Sequence, residues 1–408
     1  MIAKILEHIE KSVPTMVELE TGLCRYPALS PESGGAGEFD KCEFLQAWLA
    51  ERGFKNLERH DAPDARAKNG VRPNLVATIP GVSDAKRLWI MSHTDVVPPG
   101  DPSMWKSDPW TVVQKDGRLY GRGVEDNQQG LVASVAAALA LLENGITPAH
   151  TVKLLFVADE EMGSEYGIQW VLANRKLFRA DDMVVIPDGG DEKGETIEVA
   201  EKNLLWLRIA TKGVQCHGSR PDLGANAHVA AAELAVRLHD ELPMVFPEKD
   251  ALFDPDYSTF EPTKSEANVP NVNTIPGDDA FCMDMRVLPR YPLAKVLAEI
   301  ERIMAEVAAK RRVAMTHETL QRVESKPTSP DAPLVRFLSK AVKEVYGVTT
   351  RPIGIGGGTV GAFLRNEGID SVVWGRLHES AHQPNEFTVI ENIVGDAKVM
   401  AKLMMEKR

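Results

Sequence analysis

Three uninterrupted apolar runs in this chain each stop on acidic or imidazole side chains, and that coincidence constrains the fold more than any other feature. RLWIMSHTD stops on His93 and Asp95, TVKLLFVADEE on Asp159, Glu160 and Glu161, and DDMVVIPDGG on Asp188. Apolar runs without alternation describe strands buried on both faces, as in a parallel sheet covered by helices on each side. The carboxyl ends of such strands line the crevice where open α/β sheets bind ligands. A fourth segment, GRLYGRGVEDNQQG, places Asp126 just before an Ala-rich helix. A fifth, HESAHQPNEF, carries His382 behind a strand at 371–374 and can reach the same edge.

The rest of the pattern fits one α/β domain interrupted by an insert. Residues 1–22 and 40–53 read as amphipathic helices, and Gly130–Glu143 as the Ala-rich helix. Asn74–Ile79, Arg87–Met91, Val152–Ala158 and Asp182–Ile186 read as strands of a mostly parallel sheet. Near residue 205 the pattern changes to a compact α+β insert. Its strands are expected at Leu204–Thr211 and Ala280–Val287, and its helices at Ala227–Glu241 and Pro292–Lys310. From residue 325 the helix-then-strand pattern returns, with Ala332–Val345 and Ser371–Trp374. The expected domains are therefore 1–204 with 325–408, and 205–324.

Composition narrows the function classes. The 408 residues include 59 acidic and 47 basic side chains, for a net charge of −12. Nucleic-acid binders need basic faces to displace phosphate counterions, so no nucleic-acid partner is expected. The longest nearly apolar run, Leu131–Leu142, falls short of the about 20 residues a membrane span requires. The charged N-terminal stretch MIAKILEHIEKSV does not resemble a secretory signal. The 4 cysteines, Cys24, Cys42, Cys216 and Cys282, form no CxxC pair, which points to reduced thiols in a cytoplasmic protein.

Metal ligation in such a chain falls to His, Asp and Glu. Each piece alone has an ordinary reading: a histidine after a strand is usually hydrogen-bonded structure, Glu160–Glu161 a solvated loop, and His378 beside His382 a surface residue. Their meeting at equivalent strand ends changes the argument, because clustered buried carboxylates repel one another unless a cation is present. Two histidines with several carboxylates suit zinc or a similar divalent ion. A single ion would need three protein ligands and leave some of these acids unexplained, whereas a shared carboxylate can bridge two ions for hydrolysis. Gly356–Gly361 fits G-x-G-x-x-G literally, but no second mononucleotide half follows it. A glycine loop whose amides hold a substrate carboxylate, or a tight turn, accounts for it better.

Taken together, SHTDVVPPGD, DGRLYGRGVEDNQQG, ADEEMGSEYG, the acid at Asp188 and AHQPNE resemble the M20 metallopeptidase family. GVQCHGSRPDLGANA and NVNTIPGDDAFCMDMR in the insert resemble that family's lid motifs. The resemblance spans nearly the whole chain in order. It implies a dizinc site at the mouth of the α/β domain, with cobalt or manganese as substitutes. His93 and Asp188 would bind one ion, Glu161 and His382 the other, and Asp126 both, through a residue joined to Asn127 by a cis peptide. Asp95 would orient His93. Glu160 would be the general base toward a water bridging the ions. His217 matches a lid histidine that in dimeric members reaches the partner's site and stabilises the oxyanion. Asn273, Arg286, Gly357, Gly358 and Thr359 match positions that hold a substrate carboxylate.

Two departures from the family pattern bear on the substrate. Asn127-Gln128-Gln129-Gly130 lacks the lysine many members carry there, and Thr359-Val360-Gly361-Ala362 replaces the Thr-Ser-Asp-Gly of desuccinylases. The expected activity is hydrolysis of an amide in a small N-acyl amino acid, with dipeptidase or carboxypeptidase action on short peptides as the alternative. A homodimer paired through the lid is expected. A non-catalytic scaffold on the same fold is opposed by the intact Glu160, Glu161, Asp126 and His382.

Overall fold

A computed structural model describes residues 1–406. They form two compact units. The first comprises Met1–Val199, Thr328–Pro352 and the chain from Phe363 on; the second comprises Ala200–Pro327 and Ile353–Ala362. The fold class read from the sequence is found: a large mixed sheet with helices, and an inserted α+β unit.

The large sheet has eight strands in the order Asn56–Pro63, Val71–Ile79, His150–Val157, Ser83–His93, Met183–Asp191, Asp370–Arg376, Thr196–Glu201, Arg351–Ile355. Parallel pairing joins the four consecutive strands from His150–Val157 to Asp370–Arg376. The strands Asn56–Pro63 and Val71–Ile79 are antiparallel, as is the single bridge to Thr196–Glu201. Successive side chains of a strand point to opposite faces. Leu88, Trp89, Ile90 and Met91 are 1%, 0%, 1% and 0% exposed, so both faces are covered there. The helices Gln128–Glu143 and Ile390–Met405 pack on each other, and the first also lies against the strands Ser83–His93 and Met183–Asp191.

Two expectations shift at their boundaries. The single helix over 1–22 is broken at Ser12 into Ile2–Lys11 and Val13–Cys24. Pro14 has no N–H to continue the first helix, but it fits the first turn of a new one. The strand expected at Asp182–Ile186 continues to Asp191, so Asp188 is a strand residue and not one beyond its end.

The second unit has a four-stranded antiparallel sheet in the order Thr259–Ser265, Asp278–Val287, Asn203–Lys212, Ala314–Val323. Leu205, Leu207 and Ile209 alternate along one face and meet Leu234, Leu238 and Leu242 of the helix Ala227–Val245 and Ile300 and Ile303 of Leu293–Arg311. The two edge strands were not foreseen. Residues 314–323 are exposed or half-buried throughout, so they lack the apolar alternation that marks a strand. Among the described residues no helix is long and apolar enough to cross a membrane.

At the edge of the first unit's core, Arg87 is locked to Asp182 by two hydrogen bonds of 3.1 and 2.7 Å, and Trp89 Nε1 donates to the same carboxylate at 2.7 Å. Removing one partner of a buried pair leaves the other charge uncompensated. Asp182→Ala is expected to cost about 3–5 kcal/mol of unfolding free energy in a denaturant titration.

Candidate metal centre

His93 is the last residue of a central parallel strand, and its ring is fixed from both sides. Nδ1 faces the backbone carbonyl of Asp95 at 3.0 Å, with the Asp95 carboxylate at 3.5 Å. Nε2 lies 2.9 Å from Asp126 Oδ1 and 3.5 Å from Asp188 Oδ1. The other oxygen of Asp126 lies 3.0 Å from His382 Nε2, which is also 3.0 Å from Glu161 Oε2. Two groups result, His93–Asp126–Asp188 and Asp126–Glu161–His382, each with its ligand atoms within 4.8 Å of one another. The peptide bond from Asp126 to Asn127 is cis. His378, the neighbouring histidine, joins neither group and lies 3.4 Å from Glu192.

The turn that carries Glu160 and Glu161 is held through its backbone. Asp95 accepts from the N–H of Glu160 with one carboxylate oxygen and from that of Glu161 with the other, both at 3.0 Å. The preceding Asp159 adopts a left-handed conformation at φ 64°. Its amide donates to Glu38 at 3.2 Å, and its carboxylate meets Arg72 at 3.1 Å. Arg72 and Glu38, both fully buried, are paired with each other. Glu160 itself stands outside both ligand groups.

Electrostatically the cluster is built for positive charge. Burial opposes charge on His93, but Asp188, Asp126 and Asp95 outweigh it and hold the imidazole well above its ordinary value. Hydrogen bonds to Asp126 and Glu161 push His382 up to about 10. Burial would raise Asp126, yet His382 and His93 bring it well below the usual carboxylate range. Burial and the charge of Asp188 push Glu160 well above that range. Glu161 Oε1 is buried with no hydrogen-bond partner among the described residues, an arrangement that is costly unless a cation is supplied. Imidazole and carboxylate donors with no thiol suit a borderline divalent ion, so the residues fit two such ions sharing Asp126.

The remaining expected residues lie in the second unit, where they fall into two places. His217 is exposed on a short ladder in which Cys216–His217 pairs with Thr274–Ile275. Its Nδ1 accepts from the Ser219 amide at 3.1 Å. The neighbouring Asn273 carbonyl accepts from Gly218 at 2.7 Å. Arg286 forks onto Asp284 at 2.6 and 3.0 Å and donates to the Gly356 carbonyl at 2.9 Å, which ties it to the glycine segment. Thr359 donates to Glu201. Neither Gly357 nor Gly358 has a positive φ, and a Cβ at Gly358 would meet nothing within 4 Å. A turn that requires a left-handed glycine is therefore not formed at either position.

Sequence reasoning gave no side-chain role to three groups that shape the centre. Asn127 donates to Asp188 Oδ1 at 2.8 Å and accepts from the His93 amide at 3.3 Å, tying two expected ligands to the start of the Ala-rich helix. Glu125 and Glu386, both buried, bond across to the loops of His382 and Asp126. Their positions beside Asp126 and inside AHQPNE were the available signal.

The peptidase family M20/M25/M40 matches residues 89–406. An uncharacterised metallohydrolase of Methanocaldococcus jannaschii is 39% identical over 95% of this chain and 98% of its own. A succinyl-diaminopimelate desuccinylase of a Methylobacterium species is 28% identical over 96% of each chain. In fold, the chain resembles a tripeptidase of Staphylococcus aureus, with a TM-score of 0.76 at 17% identity over 97% of this chain and 99% of that one. It also resembles a dinuclear metal-binding M20 peptidase of Bacillus subtilis, with a TM-score of 0.66 at 18% identity over 97% and 98%. The cluster at the strand ends and the match over most of the sequence lead to one conclusion: this chain is a metallohydrolase belonging to the M20/M25/M40 peptidase family.

Proposed function

We propose that this metallohydrolase cleaves the amide bond of a small N-acyl amino acid. The observation that carries the reading is the pair of ligand triads sharing Asp126, with the free acid Glu160 on the turn beside them. Similarity to a desuccinylase along almost the whole chain supports a blocked substrate. Two divalent ions, zinc by the donor set with cobalt or manganese as substitutes, would be held by His93, Asp126, Asp188, Glu161 and His382, and would lower the pKa of the attacking water and polarise the scissile carbonyl.

The chain's own residues do the rest. Glu160 takes a proton from water as the water oxygen bonds to the carbonyl carbon, then passes that proton to the nitrogen as the C–N bond breaks. A base must keep an oxygen free of ligation, which suits its place outside both triads. Asp95 fixes the His93 ring and, through two amides, the height of Glu160. His217 would reach the centre of a second copy and donate to the developing oxyanion there, while Arg286, Asn273 and the loop Gly357–Thr359 receive the substrate carboxylate. The second unit pairs two copies through an edge of its four-stranded sheet.

Glu160→Gln is expected to lower kcat by at least about 100-fold while two ions per chain remain by elemental analysis. His382→Ala is expected to release one ion, and Asp126→Ala both. His217→Ala is expected to lower kcat roughly 100-fold or more with little change in metal content. The deciding assay is a panel of N-acetyl and N-succinyl amino acids against unblocked dipeptides, run with the zinc- or cobalt-loaded protein. Cleavage of blocked substrates alone supports the deacylase reading. Cleavage of free dipeptides alone replaces it with dipeptidase action.

A further inference from the structure

Two carboxylates next to the proposed centre have no part in the chemistry above. Glu125 and Glu386 are 2% and 1% exposed, and neither belongs to a ligand triad. A buried carboxylate persists only where donors fill its oxygens. Here each is filled by the other's loop. Glu386, four residues after His382, accepts from the amides of Gly123, Glu125 and Asp126 at 2.9, 2.9 and 3.1 Å, and from Arg122 at 2.6 Å. Glu125, the residue before Asp126, accepts from the amide of His378 at 2.5 Å, from that of Ser380, and from the Ser380 hydroxyl at 2.7 Å.

The loops need such support, because neither is held by regular structure at the critical residues. His382 has φ 62°, with Glu379 at 55° and Asn385 at 62°, and Gly123 on the opposite loop has φ 84°. Left-handed non-glycine residues persist only where their surroundings over-determine them. The nearest regular pairing is the short ladder of Phe387–Val389 with Arg118–Tyr120.

We propose that Glu125 and Glu386 form a reciprocal clasp that sets the separation of Asp126 from His382, and so holds the metal position these two share with Glu161. Both are positioning residues. The inference rests on reading Asp126, Glu161 and His382 as ligands. Reciprocity has a consequence that a one-way brace lacks: loosening either loop withdraws the carboxylate that holds the other. The clasp is therefore lost as a whole, and the position served by His93 and Asp188 is the less affected.

The test uses the full chain stripped of metal, then titrated with cobalt(II) and followed by visible absorption, together with backbone hydrogen exchange before any metal is added. Glu386→Gln places an NH₂ against amide donors. It is expected to weaken one of the two ions 10–100-fold and the other, which shares Asp126, by clearly less. Adding it to His382→Ala should cause no further loss. In the metal-free variant the amides of His378 and Ser380, which bond to Glu125, should lose protection along with those of Gly123, Glu125 and Asp126. Ser380→Ala removes only a hydroxyl and should show a smaller effect on the same ion. It carries the test if Glu386→Gln does not fold. Equal weakening of both ions, unchanged affinities, or exchange confined to residues 123–126 would overturn the clasp. A wild-type chain that takes up fewer than two ions would sink the ligand assignment instead, and the exchange pattern would still decide between a reciprocal clasp and a one-way brace.

Discussion

Asp95 is the hinge on which the proposed centre turns. Its backbone carbonyl faces one nitrogen of His93, and its two carboxylate oxygens take the amides of Glu160 and Glu161. One residue at a strand end therefore sets the ring of one proposed ligand, the backbone of another, and the base between them. The parallel register of the strands Ser83–His93 and His150–Val157 makes this possible, because it places His93 opposite Val157 and brings both strand ends to the same level. Hydrogen bonds to charged groups are stronger than neutral ones, and burial keeps water from competing for them.

Behind that hinge lies a layer of buried charge. Arg72 and Glu38 hold each other and Asp159, and Asn127 reaches both Asp188 and the amide of His93. The proposed ligands thus stand on a polar foundation that is paired except at Arg72 Nη1, which is how a site holds its geometry without flexible side chains adjusting at each turnover. The second unit follows a different logic. Its sheet alternates, with one face closed by two helices, and its expected substrate residues sit on short connections and on the outward-facing positions.

The legible parts of the fold were those with local signatures. The runs ending at His93, Ala158 and Ile186 could be recognised because strands covered on both faces leave no polar residue in the middle. The acids at their ends were legible for the same reason: a charge directly after an apolar run has to sit at a sheet edge. The strand Ala314–Val323 was illegible because it lies at an edge and brings only Met315 against the apolar core. The break at Ser12 was missed although Pro14 announced it. Glu125 and Glu386 were hidden for another reason. Their partners lie more than 250 residues away in sequence, and no periodicity encodes a hydrogen bond between two irregular loops.

The sharing of Asp126 couples the two proposed ion positions without making them equivalent. One oxygen faces His93 and the other His382, so the positions can be no farther apart than a single carboxylate permits. Within the two triads only three carboxylates, Asp126, Asp188 and Glu161, would face four positive charges. The ions would bring more positive charge than the triads alone neutralise, and Asp95 and Glu160 beside them make up the difference. By reciprocal linkage, a carboxylate-bearing substrate that binds the filled centre more tightly must in turn tighten the hold on the weaker ion. An enzyme built this way retains its metal best while it is working.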